Sequence, residues 1–154
     1  MTQQTTIWKQ LAQPVRKRLA WGIWFVTWLG LVGGLFNAVF YQYVVIFSGL
    51  HALLFLWFFR CQWAEFPVQV RFAYFLWVAL GTYVPYLKIL LFITTVGLAT
   101  NLFWGYCPLA RLMSLMPWNR TEPFSIDLVR RVFFSPPVSG RFVPPVKNPT
   151  SSED

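Results

Sequence analysis

LAWGIWFVTWLGLVGGLFNAVFYQYVVIFSGLHALLFLWFF, residues 19 to 59, contains no Asp, Glu, Lys or Arg between Arg18 and Arg60. A helix that crosses a bilayer needs about 20 apolar residues, so this stretch has the length of two crossings. The first is expected over 19–36 and the second over 43–59, with the turn near Asn37 to Gln42. Backbone polar groups that leave a helix inside hydrocarbon have no partner, so that turn belongs at the interface, where Tyr41, Gln42 and Tyr43 sit comfortably. Gly30, Gly33 and Gly34 give the first helix a small-residue face against which another helix can pack closely.

Working outward from this pair, Lys9, Arg16, Lys17 and Arg18 form a basic N-terminal segment, 1–18. A secretory signal would end its apolar core after about 7 to 15 residues at a small-residue cleavage site. Here Trp21, Trp24, Phe25 and Trp28 lead on into more apolar sequence, which reads as a retained span. On the other side, the polar stretch Cys61 to Arg71 carries Glu65 and Pro67 and reverses the chain. The next apolar run, Phe72 to Val84, is short for a bilayer. A third span is expected over 68–84, reaching bilayer length by including Val68 to Arg71 with Arg71 snorkelling outward; a re-entrant or tilted segment is the alternative. Pro85 breaks the run, Lys88 marks the interface, and a fourth span is expected over 86–106.

Charge tests this arrangement independently. With both termini cytoplasmic, Lys9, Arg16, Lys17, Arg18, Arg60, Arg71, Arg111, Arg120, Arg130, Arg131, Arg141 and Lys147 lie inside, and only Lys88 lies outside. That is the sense of the positive-inside rule, and a three-span layout would place one basic cluster on the wrong side. The expected fold is therefore all-α: a four-helix transmembrane domain over 19–116, both ends cytoplasmic, in a multi-pass protein of a bacterial inner membrane. An interfacial amphipathic segment follows over 117–134. In it Ser125 is the N-cap of a helix whose apolar residues Ile126, Val129, Val132 and Phe133 lie beside Arg130 and Arg131. Docking of that helix on a partner protein is the alternative to a position on the membrane surface. A disordered, proline-rich tail is expected over 135–154.

Composition supports membrane placement: 56% hydrophobic, 20% aromatic and 12% charged, against roughly 25% charged in an average soluble domain. The net charge of +8 does not argue for nucleic acid, because the basic residues border apolar runs and suit anionic lipid. The 154 residues leave no room for a separate soluble catalytic domain.

Few residues are candidates for chemistry. Carboxylates occur at Glu65, Glu122, Asp127, Glu153 and Asp154, none within an expected span, so an intramembrane relay of paired acids is not supported. Phosphate loops, zinc-protease helices, CxxC pairs and nucleophile elbows are not found, and neither a metal nor another cofactor is expected. His51 is the lone histidine. Haem ligation commonly wants two axial ligands, and a hydrogen bond to Asn37, Asn101 or a threonine is the simpler reading. Cys61 and Cys107, at the cytoplasmic ends of the second and fourth spans, are the thiol candidates, with Arg60 and Arg111 as groups able to favour a thiolate. A buried cysteine acting as a small hydrophobe is the competing reading.

Asn101 to Leu112, with Gly105-Tyr-Cys107-Pro108-Leu at its centre, resembles the end of the two-helix inner-membrane domain of YgaP-type bacterial proteins, which closes on a Gly-aromatic-Cys-Pro-Leu signature. The likeness covers about residues 70–115 and carries over Gly105, Cys107 and Pro108. That domain is often joined to or neighboured by a rhodanese sulfurtransferase, so the resemblance implies a link to sulfur handling; the chain differs in its two preceding spans, its tail and its lack of a rhodanese domain. Physically, Pro108 disfavours helical geometry at Cys107 and holds its sulfur near the end of the span. The leading functional expectation is a non-enzymatic accessory subunit in contact with lipid and with other membrane subunits or further copies of itself. A thiol-redox or sulfur-relay module using Cys107 is second, and a small oligomeric transporter third.

Overall fold

The computed structural model describes residues 13–137, and among these every regular element is helical. The expectations for a basic segment through residue 12 and for the tail beyond residue 137 lie outside the described residues. Four long helices, α1 (Gln13–Phe36), α2 (Val39–Phe58), α3 (Phe66–Tyr83) and α4 (Ile89–Trp104), precede two short ones, α5 (Pro108–Ser114) and α6 (Ile126–Phe134). A single 3-10 turn, Pro85–Leu87, joins α3 to α4.

Three helical stretches are long and apolar enough to cross a membrane: Pro14–Phe36, Val39–Phe58 and Pro85–Trp104. Only 17%, 33% and 17% of their most apolar windows is buried within the chain. The rest is apolar surface with no protein over it, far beyond what a soluble monomer carries and normal for helices bathed in lipid. The 18 residues of α3 include Gln69 and Arg71, and α3 is not among the three.

Each element has a local cause. The α1–α2 turn is tighter than the expected 37–42 span, since α2 begins at Val39. The Asn37 side chain accepts from the Val39 amide at 3.1 Å, which restarts the helix at once. The glycine face of α1 is what permits this fold-back. A Cβ on Gly30 would lie 2.6 Å from Val44 Cγ2, and one on Gly34 would collide with the Tyr41 ring, so the helix that approaches these glycines is the chain's own α2. Pro67 opens α3, where its missing N–H leaves no gap. Gly105 ends α4 in the left-handed region, φ 68°, a conformation that costs a side-chain-bearing residue about 1 kcal/mol or more.

The core is shared by all four long helices, with Leu31, Val44, Val45, Tyr74, Val78, Leu91 and Leu98 buried together. Phe55, Phe59 and Val68 form a smaller cluster near the α2–α3 turn. Ser125 caps α6 as expected, accepting from the Leu128 amide at 3.1 Å. One face of α6 packs against the chain itself. Leu128 and Val132 are buried and pack with Leu115 and Phe133, whereas Ile126 is 85% exposed.

Candidate functional site

The first polar feature inside the bundle is Arg71, which does not snorkel outward as its sequence position implied. It is only 8% exposed and turns inward. Its Nε donates to His51 Nε2 at 3.3 Å, its Nη1 donates to the Pro67 carbonyl at 2.6 Å, and its guanidinium lies 3.4 Å from the centre of the Phe55 ring. Trp24 of α1 closes the group, edge-on to both His51 and Tyr74. A guanidinium is weakly hydrated and planar, so an aromatic face and two fixed acceptors replace part of its water. His51 is thereby partnered by Arg71 rather than by an asparagine or a threonine, and with that nitrogen accepting it is the neutral imidazole. Helices α1, α2 and α3 are pinned at one point.

At the end of α4 the Gly-Tyr-Cys-Pro run is a stop and restart of the helix. Gly105 supplies the left-handed end, and Cys107 takes an extended conformation (φ −101°, ψ 103°) before Pro108. Cys107 is the N-cap of α5, its sulfur accepting from the Ala110 amide at 3.4 Å. Burial pushes its thiol above the ordinary range; the Ala110 and Leu109 amides and the nearby Arg71 and Arg111 pull the other way without reversing the shift. Cys61 is elsewhere, exposed on the turn after α2 with φ 60°. Both thiols are free.

Arg111 does not act chiefly on Cys107. Its guanidinium is 3% exposed and faces the C-terminal end of α6, donating to the Val132 carbonyl, to Ser135 Oγ at 2.5 Å and to the Pro136 carbonyl at 2.6 Å. Tyr106 lies beneath it at 4.5 Å and donates its own hydroxyl to the Phe133 carbonyl at 2.7 Å. Two of the terminal carbonyls of α6, those of Val132 and Phe133, accept from this pair, and that of Arg131 accepts from the Ser135 amide. A second tie lies at the start of α3, where Gln69 accepts from Trp118 Nε1 at 3.1 Å and Asn119 Nδ2 at 2.7 Å.

Between these features lies a cavity of about 210 Å³, lined chiefly by Trp24, Tyr74, Trp77, Gly97, Asn101 and Cys107. Tyr74 is 5% exposed, and its hydroxyl has no hydrogen-bond partner. Sequence reasoning singled out Cys107 but missed Tyr74 and the inward turn of Arg71. A signal for Arg71 existed: an arginine bordering an apolar helix, in a chain with a single histidine, is a charge for which a partner should be sought. Among the described residues no cluster of three His, Cys, Asp or Glu has the arrangement of a metal site.

Comparison of the chain with protein families, with curated proteins and with solved structures returned no match.

Proposed function

We propose that the protein is a non-catalytic accessory subunit of a membrane assembly, with α1 to α4 all crossing a bacterial inner membrane and both ends in the cytoplasm. The observation that carries this reading is how the polar side chains of the bundle are used. Arg71 and His51 bind each other, Arg111 and Tyr106 hold α6, and Cys107 caps α5. Such groups fix one rigid arrangement of helices and leave a wide apolar exterior for lipid and for neighbouring subunits or further copies of the chain.

Gentle detergent extraction followed by size analysis and mass spectrometry tests it. The expected result is a species larger than one chain, or a reproducible membrane partner; a strictly monomeric protein with nothing bound refutes it. Reporter fusions at residues 42 and 65 and at the C-terminus test the four crossings, and a periplasmic signal from the C-terminal fusion overturns that topology. The thiol-relay alternative draws support from Arg71 and Arg111 near Cys107. It is opposed by the burial that raises this thiol and by the solvent-facing position of Cys61.

A further inference from the structure

We infer that the outward face of α6, with the loop that leads into it, is a docking surface for anionic phospholipid. Its apolar side chains enter the boundary of acyl chains and headgroups, and Arg120 and Arg130 meet lipid phosphate. The helix has two faces. Leu128 and Val132 are buried with Leu115 and Phe133, and the opposite side carries Ile126, Arg130 and Phe134. At about 100° per residue, residues four apart are offset by about 40°, so these three form a single stripe about 80° wide. Ile126 and Phe134 are 85% and 86% exposed, and Arg130 between them is exposed as well. The preceding loop adds two more exposed aromatic side chains, Phe124 and Trp118.

The charges of this segment do not cancel on its surface. Glu122 and Asp127 both pair with Arg131, at 2.7 and 3.1 Å. Arg120 lies 6.0 Å from the centre of the Phe124 ring, and neither it nor Arg130 forms an ion pair among the described residues. What faces outward is therefore apolar and cationic, the composition of a helix lying in an anionic interface.

Depth follows from the ties that hold the segment. Tyr106, two residues beyond the membrane-length stretch that ends at Trp104, donates to the Phe133 carbonyl. Trp118 and Asn119 donate to Gln69 in the first turn of α3. Both ends of 118–134 are thus held level with the ends of the long helices. In the four-crossing arrangement that level is the cytoplasmic headgroup layer, and the inference rests on that reading. A groove on a partner protein suits the face less well. Such grooves take apolar anchors at i, i+3, i+4 and i+7; from Ile126, the i+4 residue is Arg130 and the i+7 residue, Phe133, packs on the chain itself.

Site-specific photo-crosslinking in the full-length protein tests this. Benzoylphenylalanine is placed singly at the positions of Ile126, Phe134 and, as a reference on the outer face of α2, the exposed Leu50. The protein is reconstituted in nanodiscs of neutral phosphatidylcholine and anionic phosphatidylglycerol in equal amounts, and adducts are identified by mass spectrometry. Phospholipid adducts are expected at the Ile126 and Phe134 positions, with phosphatidylglycerol favoured about fivefold or more over its share at the Leu50 position, the preference that one arginine near the headgroups confers. Arg120→Gln combined with Arg130→Gln should return the lipid ratio to that of the Leu50 position, and the two Lys replacements should keep most of the preference. A ratio equal to that at Leu50 in the unaltered protein, or one unmoved by the paired Gln replacements, overturns the proposal. So do adducts to another protein or to a second copy when the illumination is repeated in cell membranes. Lipid adducts at the Leu50 position with none at Ile126 or Phe134 overturn it while leaving the membrane reading intact; none at any of the three defeats both.

Discussion

Replacing Arg111 by Met should release α6 from the bundle without unfolding the bundle itself. The side chain makes three hydrogen bonds, to the Val132 carbonyl, Ser135 Oγ and the Pro136 carbonyl, and stacks on Tyr106. Charged hydrogen bonds contribute about 1.5 kcal/mol or more each, and a desolvated cation over an aromatic ring about 1 to 2 kcal/mol, for a gross loss of about 6 kcal/mol. Much of that returns, because burying a guanidinium costs several kcal/mol that the apolar Met does not incur, and because the freed carbonyls find water once α6 lifts. A net loss of about 2 to 3 kcal/mol is the expected outcome, a shift of roughly 30- to 140-fold in the opening equilibrium at about 1.4 kcal/mol per decade. Leu128 and Val132 still favour the docked position, so the helix opens more often without leaving permanently.

Hydrogen exchange reads this directly. The amides of 128–135 should lose protection by that factor in Arg111→Met, with α1 to α4 unchanged, as expected for local rather than global opening. Arg111→Lys should recover only part, since an ammonium cannot reproduce a planar fork that reaches three acceptors. Unchanged protection of α6 in Arg111→Met would show that the apolar contacts alone hold it, and the clamp reasoning would fail.

Three further outcomes follow from other parts of the fold. Gly30→Leu places a branched side chain where even a Cβ meets Val44 at 2.6 Å, so the α1–α2 hairpin must splay; a loss of about 2 kcal/mol or more is expected in thermal unfolding, against little change for Gly22→Ala, which has open space. Gly105→Ala must hold φ 68° with a Cβ and should cost about 1 kcal/mol, seen as a lowered melting temperature, while Gly97→Ala, at 3.6 Å from Pro108, should cost less. Cys107, whose thiol burial shifts upward, has less thiolate at neutral pH than an ordinary cysteine; its alkylation rate should go on climbing with pH beyond the usual thiol range, and a rate already saturated at neutral pH would instead favour the relay reading.

The parts of this fold legible in the sequence are those decided within one helix or one turn. Membrane-length apolar stretches are sums over some twenty residues and survive ignorance of every contact. The Ser125 cap depends on a few adjacent residues whose backbone preferences are strong, whereas the stop at Gly105 fell inside a span expected to run to 106 and the restart at Pro108 was not expected. The glycine face of α1 was visible too, although its occupant, α2, was not. What remained hidden depends on partners far away in sequence: Arg71 with His51 across 20 residues, Arg111 with Val132 across 21, Asn119 with Gln69 across 50.

Arg71 illustrates why such pairs escape a sequence reading. A helix in water declares its inner face by where its polar residues are not; in lipid the outer face is as apolar as the core, and α3 carries Phe, Val, Leu and Trp on all sides. The snorkelling expectation rested on Arg71 lying near a helix end, which contains nothing about direction. Direction is fixed instead by Phe55 and His51, set one turn apart on α2, which offer a ring face and a ring nitrogen to the same guanidinium. The same limit hid the cavity. With nine Trp, six Tyr and sixteen Phe in the chain, nothing local distinguishes Tyr74 from its neighbours. Its hydroxyl becomes distinctive only when four helices close around it and leave it without a partner.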